Sequence, residues 1–298
     1  NGGNLTHRYA SAAEAFTLDL TVTGTISVDA SSTIDVSARG YLAGRTVGNT
    51  TTGAATSGAG GSYGGLGGNY QGAANLAYGD YRDPQWPGSG GASGGAGGGA
   101  IKITAATAQI DGTIRANGGG AYNAGAGSGG SILLHVGALS GAGRLEANGG
   151  VDTIYRGSGG GGRIAVYYDD LSGFEQSRIG ALGGIFGGDT GSAGSHGSLY
   201  FRKNGAATGE LRVDSHGLTA GSYTPLGVRS DAALALDTLV VTGAGAVAAP
   251  EHNLPVTAGS VRIENGGNLT HRYASAAEAF THDLTVTGTN SVDASSAI

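Results

Sequence analysis

The first 34 residues return near the end of the chain. NGGNLTHRYASAAEAFTLDLTVTGTISVDASSTI opens it and NGGNLTHRYASAAEAFTHDLTVTGTNSVDASSAI occupies 265–298, differing only at Leu18/His282, Ile26/Asn290 and Thr33/Ala297. A repeat of this fidelity at a fixed spacing is the signature of a tandem array, in which each unit packs on its neighbour and stability runs along one dimension. Residues 1–264 therefore read as one unit and 265–298 as the start of the next.

Composition narrows the class. Sixty-two glycines and only 38 charged residues in 298 are unlike an ordinary enzyme. The glycines cluster between apolar segments such as Ile101–Ile103 and Ile132–Leu134 without diluting them, so an ordered, glycine-punctuated β protein is expected. A net charge of −6 with no basic stripe argues against a nucleic-acid partner. Cysteine is absent, which excludes disulfides and thiolate metal sites, and no apolar run of about 18 residues signals membrane insertion.

Period-two alternation in a Thr/Val/Ile-rich stretch (Leu20, Val22; Ile26, Val28; Ile34, Val36) predicts strands. A second repetition lies inside the unit. IKITAATAQIDGTIRANGG (101–119) aligns without gaps on ILLHVGALSGAGRLEANGG (132–150); 164–184 fits with a two-residue insertion and 199–217 more loosely. These are rungs, and Ile103 over Leu134 over Val166 is the expected side-chain ladder. Gly-rich connectors at 120–130, 156–162 and 185–197 read as corners, where glycine tolerates positive φ. About ten coils per unit would add on the order of 50 Å of length.

Stacked similar rungs point to an all-β fold, a right-handed parallel β-helix or β-solenoid, the hand following from the crossover rule. The alternative is a β-sandwich or propeller-like meander, for which Asn117-Gly118 and Asn148-Gly149 supply hairpin dipeptides. Residues 45–100 stand apart as a long Gly-rich flap carrying Tyr63, Tyr70, Tyr78, Tyr81 and Trp86. Tyrosines among Gly, Ser and Asn resemble a binding paratope in composition, so these five are the candidate contact surface. The plainer reading buries their rings against the solenoid flank.

Four strings, SGAGGSYGGLGG (57–68), GSGGSILLHVGALSGAGRLEANGG (127–150), GGGGRIAVYYDDLSGF (159–174) and GSLYFRKNG (197–205), together resemble the Gly-rich tandem repeats of very large bacterial surface proteins, the filamentous-haemagglutinin-like and other adhesin-type β-helices. The resemblance implies an extracellular or cell-surface structural role and brings no catalytic residues with it.

Residue chemistry adds little to that. Asp169 and Asp170 are adjacent on a strand, so their carboxylates point apart and a solvated turn is the better reading. A polysaccharide-binding or polysaccharide-cleaving β-helix survives as the alternative function by fold analogy. Gly187-Gly188-Asp189 starts like a calcium-binding nonapeptide, but nothing repeats it, so calcium is unsupported and no cofactor is expected. No His spacing suits zinc. The expectation is a non-catalytic fibre or stalk segment whose partners are further copies of itself, head to tail, with surface polysaccharide or a neighbouring cell as the outer contact. The stacking core assigned to it is Leu20, Val22 and Val28 with Leu284, Val286 and Val292. Leu18 and Ile26, replaced by His282 and Asn290 in the second copy, are expected at strand margins or facing outward.

Overall fold

A computed structural model describes residues 2–154, 156–186, 191–276 and 278–298. The described residues contain no α-helix and nineteen strands. The first ten are β1 (Asn4–Leu5), β2 (Thr17–Val28), β3 (Thr33–Asp35), β4 (Ala100–Ile110), β5 (Thr113–Arg115), β6 (Ser131–Gly141), β7 (Arg144–Glu146), β8 (Arg163–Tyr168), β9 (Asp170–Phe174) and β10 (Ile179–Gly180). The rest are β11 (Ser198–Lys203), β12 (Glu210–Asp214), β13 (Thr224–Leu226), β14 (Leu234–Thr242), β15 (Val247–Pro250), β16 (Val256–Glu264), β17 (Asn268–Leu269), β18 (Leu284–Val286) and β19 (Asn290–Val292).

The long strands form one sheet in the order β2-β4-β6-β8-β11-β12-β14-β16-β18, parallel except at β11/β12. A short strand follows most long ones, and these make two further sheets, β1-β3-β5-β7-β10 and β13-β15-β17. The expected ladder is present: Leu20, Ile103, Leu134, Val166 and Phe201 sit in register on successive strands. A second ladder, Ile34, Ile114, Leu145 and Ile179, faces it from the short strands. Both belong to one core, where each buried Ile or Leu contributes about 1.5–3 kcal/mol. The shared Ala-Asn-Gly-Gly endings also stack: Asn117 Oδ1 accepts the Asn148 N–H at 2.7 Å, and Asn148 Oδ1 accepts the Leu182 N–H at 2.8 Å.

Residues 199–217 are not a further coil. They form a hairpin in which Leu199 faces Arg212 and Phe201 faces Glu210, turning at Asn204-Gly205 with Gly205 at φ 78°. The hairpin moves the core to the other face of the sheet. Leu199 and Phe201 point into the first core, whereas Tyr200, Leu211 and Val213 point into a second one built from β12, β14, β16 and the β13-β15-β17 sheet. Strands β12 to β18 consequently run opposite to β2. Among the described residues, eight inter-strand steps separate β2 from its counterpart β18, which places the two strands roughly 38 Å apart along the sheet.

The Gly-rich connectors also differ from expectation. Among the described residues only twelve glycines have positive φ, and those of 118–130 and 157–162 are not among them. Residues 157–162 form a straight rod, whereas 118–130 folds back on itself through bends at 122–124, with Asn123 at φ 56° and the Gly127 N–H donating to the Gly119 carbonyl. Gly157 and Gly160 donate to the carbonyls of Gly58 and Gly61, Ser158 and Gly161 to those of Ser192 and Ser195, and Gly159 and Gly162 to those of Gly150 and Ala147. Rotation of donors among three neighbours every third residue is the three-per-turn geometry of polyproline II, which has no internal hydrogen bonds and must pair laterally. The same rod accepts from 126 and 129, from 65 and 68, and from 184, so six neighbours surround it. Glycine is required because the backbones are nearly in contact: a Cβ on Gly159 would lie 1.9 Å from the Gly127 oxygen. Segments 57–68 and 88–99 of the stretch read as a flap each fold back on themselves into two such rods, the Gly60 N–H donating to the Gly68 carbonyl and the Gly88 N–H to the Gly98 carbonyl, so that stretch is built into the body.

Candidate functional site

Two places merit the term: the aromatic part of 45–100 and the edges where the repeat recurs. Between the segments 57–68 and 88–99, residues 78–86 lie across the face of the long sheet opposite the first core. Tyr81 meets Tyr200 edge to face at 5.2 Å, and the Tyr167 hydroxyl donates to the Arg82 carbonyl at 2.6 Å. His135 stacks on Tyr167 at 4.4 Å, one strand away in register. Leu133, Ala165, Tyr167 and Tyr200 are thereby covered and join the second core.

Arg163 fastens the segment from within. Its position at the start of β8 puts it at the junction of rod and sheet, 1 % exposed. Nε donates to the Tyr78 carbonyl at 3.1 Å and Nη1 to Ser198 Oγ at 3.0 Å, and the guanidinium lies 5.5 Å from the Tyr63 ring centre. Nη2 has no hydrogen-bond partner. Burial lowers the Arg163 pKa, against the opposing pull of Tyr63 and Asp80. Tyr63 shares a hydrogen bond with Ser131 Oγ at 2.7 Å and packs 4.8 Å from Tyr78. Burial pushes the Tyr63 phenol up to about 12 and Tyr78 well above its usual value, so neither ionises near neutrality.

Of the five candidate contact residues, Tyr63 and Tyr81 are interior, 0 % and 2 % exposed, and cannot meet a partner. Tyr78 is half-buried with its hydroxyl donating to the Pro87 carbonyl. Tyr70 is half-buried under the Arg156 guanidinium, 4.6 Å from its ring centre. Trp86 is 47 % exposed, and so is Leu76 at 62 %, a residue that composition did not single out. The glycine context that suggested a paratope marks close backbone packing here.

Asp169 and Asp170 are exposed at the β8/β9 break, and Asp170 accepts the Ser172 N–H at 2.9 Å. No group of three or more His, Asp or Glu among the described residues could hold a metal ion. Gly187, Gly188 and Asp189, the calcium-like string, lie outside the described residues.

The stacking residues divide differently from expectation. Leu18, Leu20, Val22 and Ile26 all lie on the same face of β2 and pack, half-buried, against the first core, so Leu18 and Ile26 sit near the two ends of the strand, as expected, but do not face outward. Val28 is buried. In the second copy Leu284 and Val286 pack on the second core, but Val292 is 42 % exposed and does not belong to it. Polar His282 and Asn290 are tolerated because the terminal strands are covered on one side only.

The second copy reproduces the geometry of the first. Asn268 bridges Ala297 as Asn4 pairs with Thr33. Arg272 lies 4.6 Å from the Phe280 ring centre, as Arg8 does from Phe16. Asp29 and Asp293 each collect the hydroxyls of the two serines that follow, which holds both carboxyls well below the usual range. No helix is long and apolar enough to cross a membrane among the described residues. No family model, curated protein or solved structure matches the chain.

Proposed function

We propose that the chain is a non-catalytic structural segment of a very large extracellular or cell-surface tandem-repeat protein, a right-handed parallel β-solenoid that forms a fibre or stalk. The observation that carries the reading is the seat of residues 265–298. They extend the long sheet through β16/β18 and β16/β19 and the short sheet through β15/β17, and within them Asn268 bridges Ala297 as Asn4 pairs with Thr33. A further unit would grow from there by the same backbone ladder. The Gly-rich strings that resemble adhesin repeats support the adhesive side of the reading, and outward Trp86 and Leu76 are the residues it assigns to contact with surface polysaccharide or a neighbouring cell.

Strand direction gives the fibre a specific form. Because β18 runs opposite to β2 and buries the other face, successive units are related by about half a turn around the stacking direction, and their 45–100 segments alternate between two sides. Electron microscopy of chains carrying one, two and four units should show length rising by roughly 38 Å per unit, with a full repeat every two units. Lengths that do not grow in proportion would reject the linear solenoid.

A further inference from the structure

The edge formed by β15 and β16 is occupied by the chain's own tail. Asn268 and Leu269 pair with Val247 and Ala248, and Leu284, Thr285 and Val286 with Val256, Thr257 and Ala258. Side chains reinforce the ladder: Arg272 Nη1 donates to the Glu251 carbonyl at 2.7 Å, and Asn253 Oδ1 accepts the Thr281 N–H at 2.9 Å. Each tail residue in these contacts has an identical counterpart 264 positions earlier, namely Asn4, Leu5, Arg8, Thr17 and the Leu20–Val22 run. Among the described residues those counterparts have no such partner: β1 pairs with β3 and β2 with β4. The effect on one residue is plain, since Leu269 is fully buried in the docked tail and Leu5 is 45 % exposed.

The copies are not equal. Where the first has Leu18, the tail has His282, whose Nε2 is buried without a hydrogen-bond partner, and where the first has Ile26 the tail has the exposed Asn290. A buried unsatisfied nitrogen and a lost apolar contact both weaken docking. We propose that the β15/β16 edge is a docking site for residues 1–28 of a second copy of this chain, and that 265–298 is a weaker resident copy that keeps the edge covered. The proposal rests on the reading of the sheet as a stack that continues beyond one unit. Tethering explains why the weaker copy prevails in a dilute chain: a segment linked to its site acts at an effective concentration in the millimolar range.

The test uses the full 298-residue chain. Sedimentation at micromolar concentration should find the parent monomeric. The double substitution Leu284→Asp and Val286→Asp undocks the tail, and its weight-average mass should at least double as concentration rises to about 100 µM. Adding Leu5→Asp, a change at an exposed position, should return that protein to monomer. Register is read separately. The chain has no cysteine, so a mixture of undocked chains carrying Thr21→Cys and Thr257→Cys should be joined between molecules by a short bis-maleimide, in proportion to the association. An undocked chain that keeps its thermal transition and stays monomeric overturns the proposal, and so does association indifferent to Leu5→Asp or lacking the 21–257 link. Should the double variant lose its fold, Val286→Asp alone is put through the same measurements with the same criteria. Covalent multi-unit fibres growing as described above, with undocked single chains remaining monomeric, would reject this inference and leave the fibre reading intact.

Discussion

Alanine at Gly127 or Gly159 should cost more than about 3 kcal/mol of stability, lowering the thermal midpoint on the order of 10 °C. A Cβ at Gly159 would stand 1.9 Å from the Gly127 oxygen and 2.4 Å from its carbon; at Gly127 it would stand 2.0 Å from the Ala96 oxygen. Overpacking a side-chain core costs about 1–3 kcal/mol because neighbouring rotamers adjust. Here the obstacle is backbone, and that backbone is tied laterally: Gly127 donates to Gly119, and Gly159 to Gly150. Moving one rod apart breaks hydrogen bonds to several others, as a single Gly substitution does at the crowded axis of collagen. Gly24→Ala is the matched control. A Cβ there meets nothing within 4 Å, and Gly24 is exposed on β2, so its change should stay within about 0.5 kcal/mol. Chemical denaturation of the three variants compares them directly, and equal effects at Gly24 and Gly127 would mean that the rods are not packed as described.

The same glycines show where sequence reasoning reached its limit. The ladder Ile103, Leu134, Val166 was legible because apolar residues alternate and two rungs share one spacing, which fixes face and register together. The rods were not, since a residue without a side chain leaves no periodicity to read and glycine-rich stretches default to turns. One signal was present: from Gly88 to Ala100 no side chain exceeds that of serine, which a corner does not need and a six-neighbour rod does. The change of face at β11 was hidden for the opposite reason. Leu199, Tyr200 and Phe201 are all apolar, and a continuous apolar run does not say which face is inside. Among the candidate contact residues, Tyr63 and Tyr81 misled because composition cannot distinguish a ring presented among glycines from one that glycines allow to be buried. Leu18 and Ile26 misled through their replacements, because His282 and Asn290 report conditions at a half-covered end and not the direction in which β2 points.

Stability should fall by about 3 kcal/mol between pH 6.5 and pH 4, with His196 as the principal cause. The ring is 0 % exposed. Its Nδ1 faces the Gly183 N–H at 3.3 Å and so must accept, while Nε2 faces the Leu218 carbonyl at 3.0 Å and so must donate. Both nitrogens are satisfied in the neutral form, and a second proton would point at the Gly183 donor in a buried site. Burial lowers the pKa to about 4 from the ordinary 6.5, opposed by the Leu218 carbonyl and Asp214. The folded state thus stays unprotonated while the unfolded chain takes up a proton below 6.5. The stabilisation is complete above that value, declines as pH falls, and is gone once the folded ring also protonates near 4. His7, His135 and His282 are depressed in the same direction by burial and add smaller contributions of the same sign. Urea unfolding at pH 7, 5.5 and 4 measures the slope. His196→Asn should lower stability at pH 7 through lost packing and flatten most of the decline, whereas a decline of undiminished size in that variant would assign the titration to other groups.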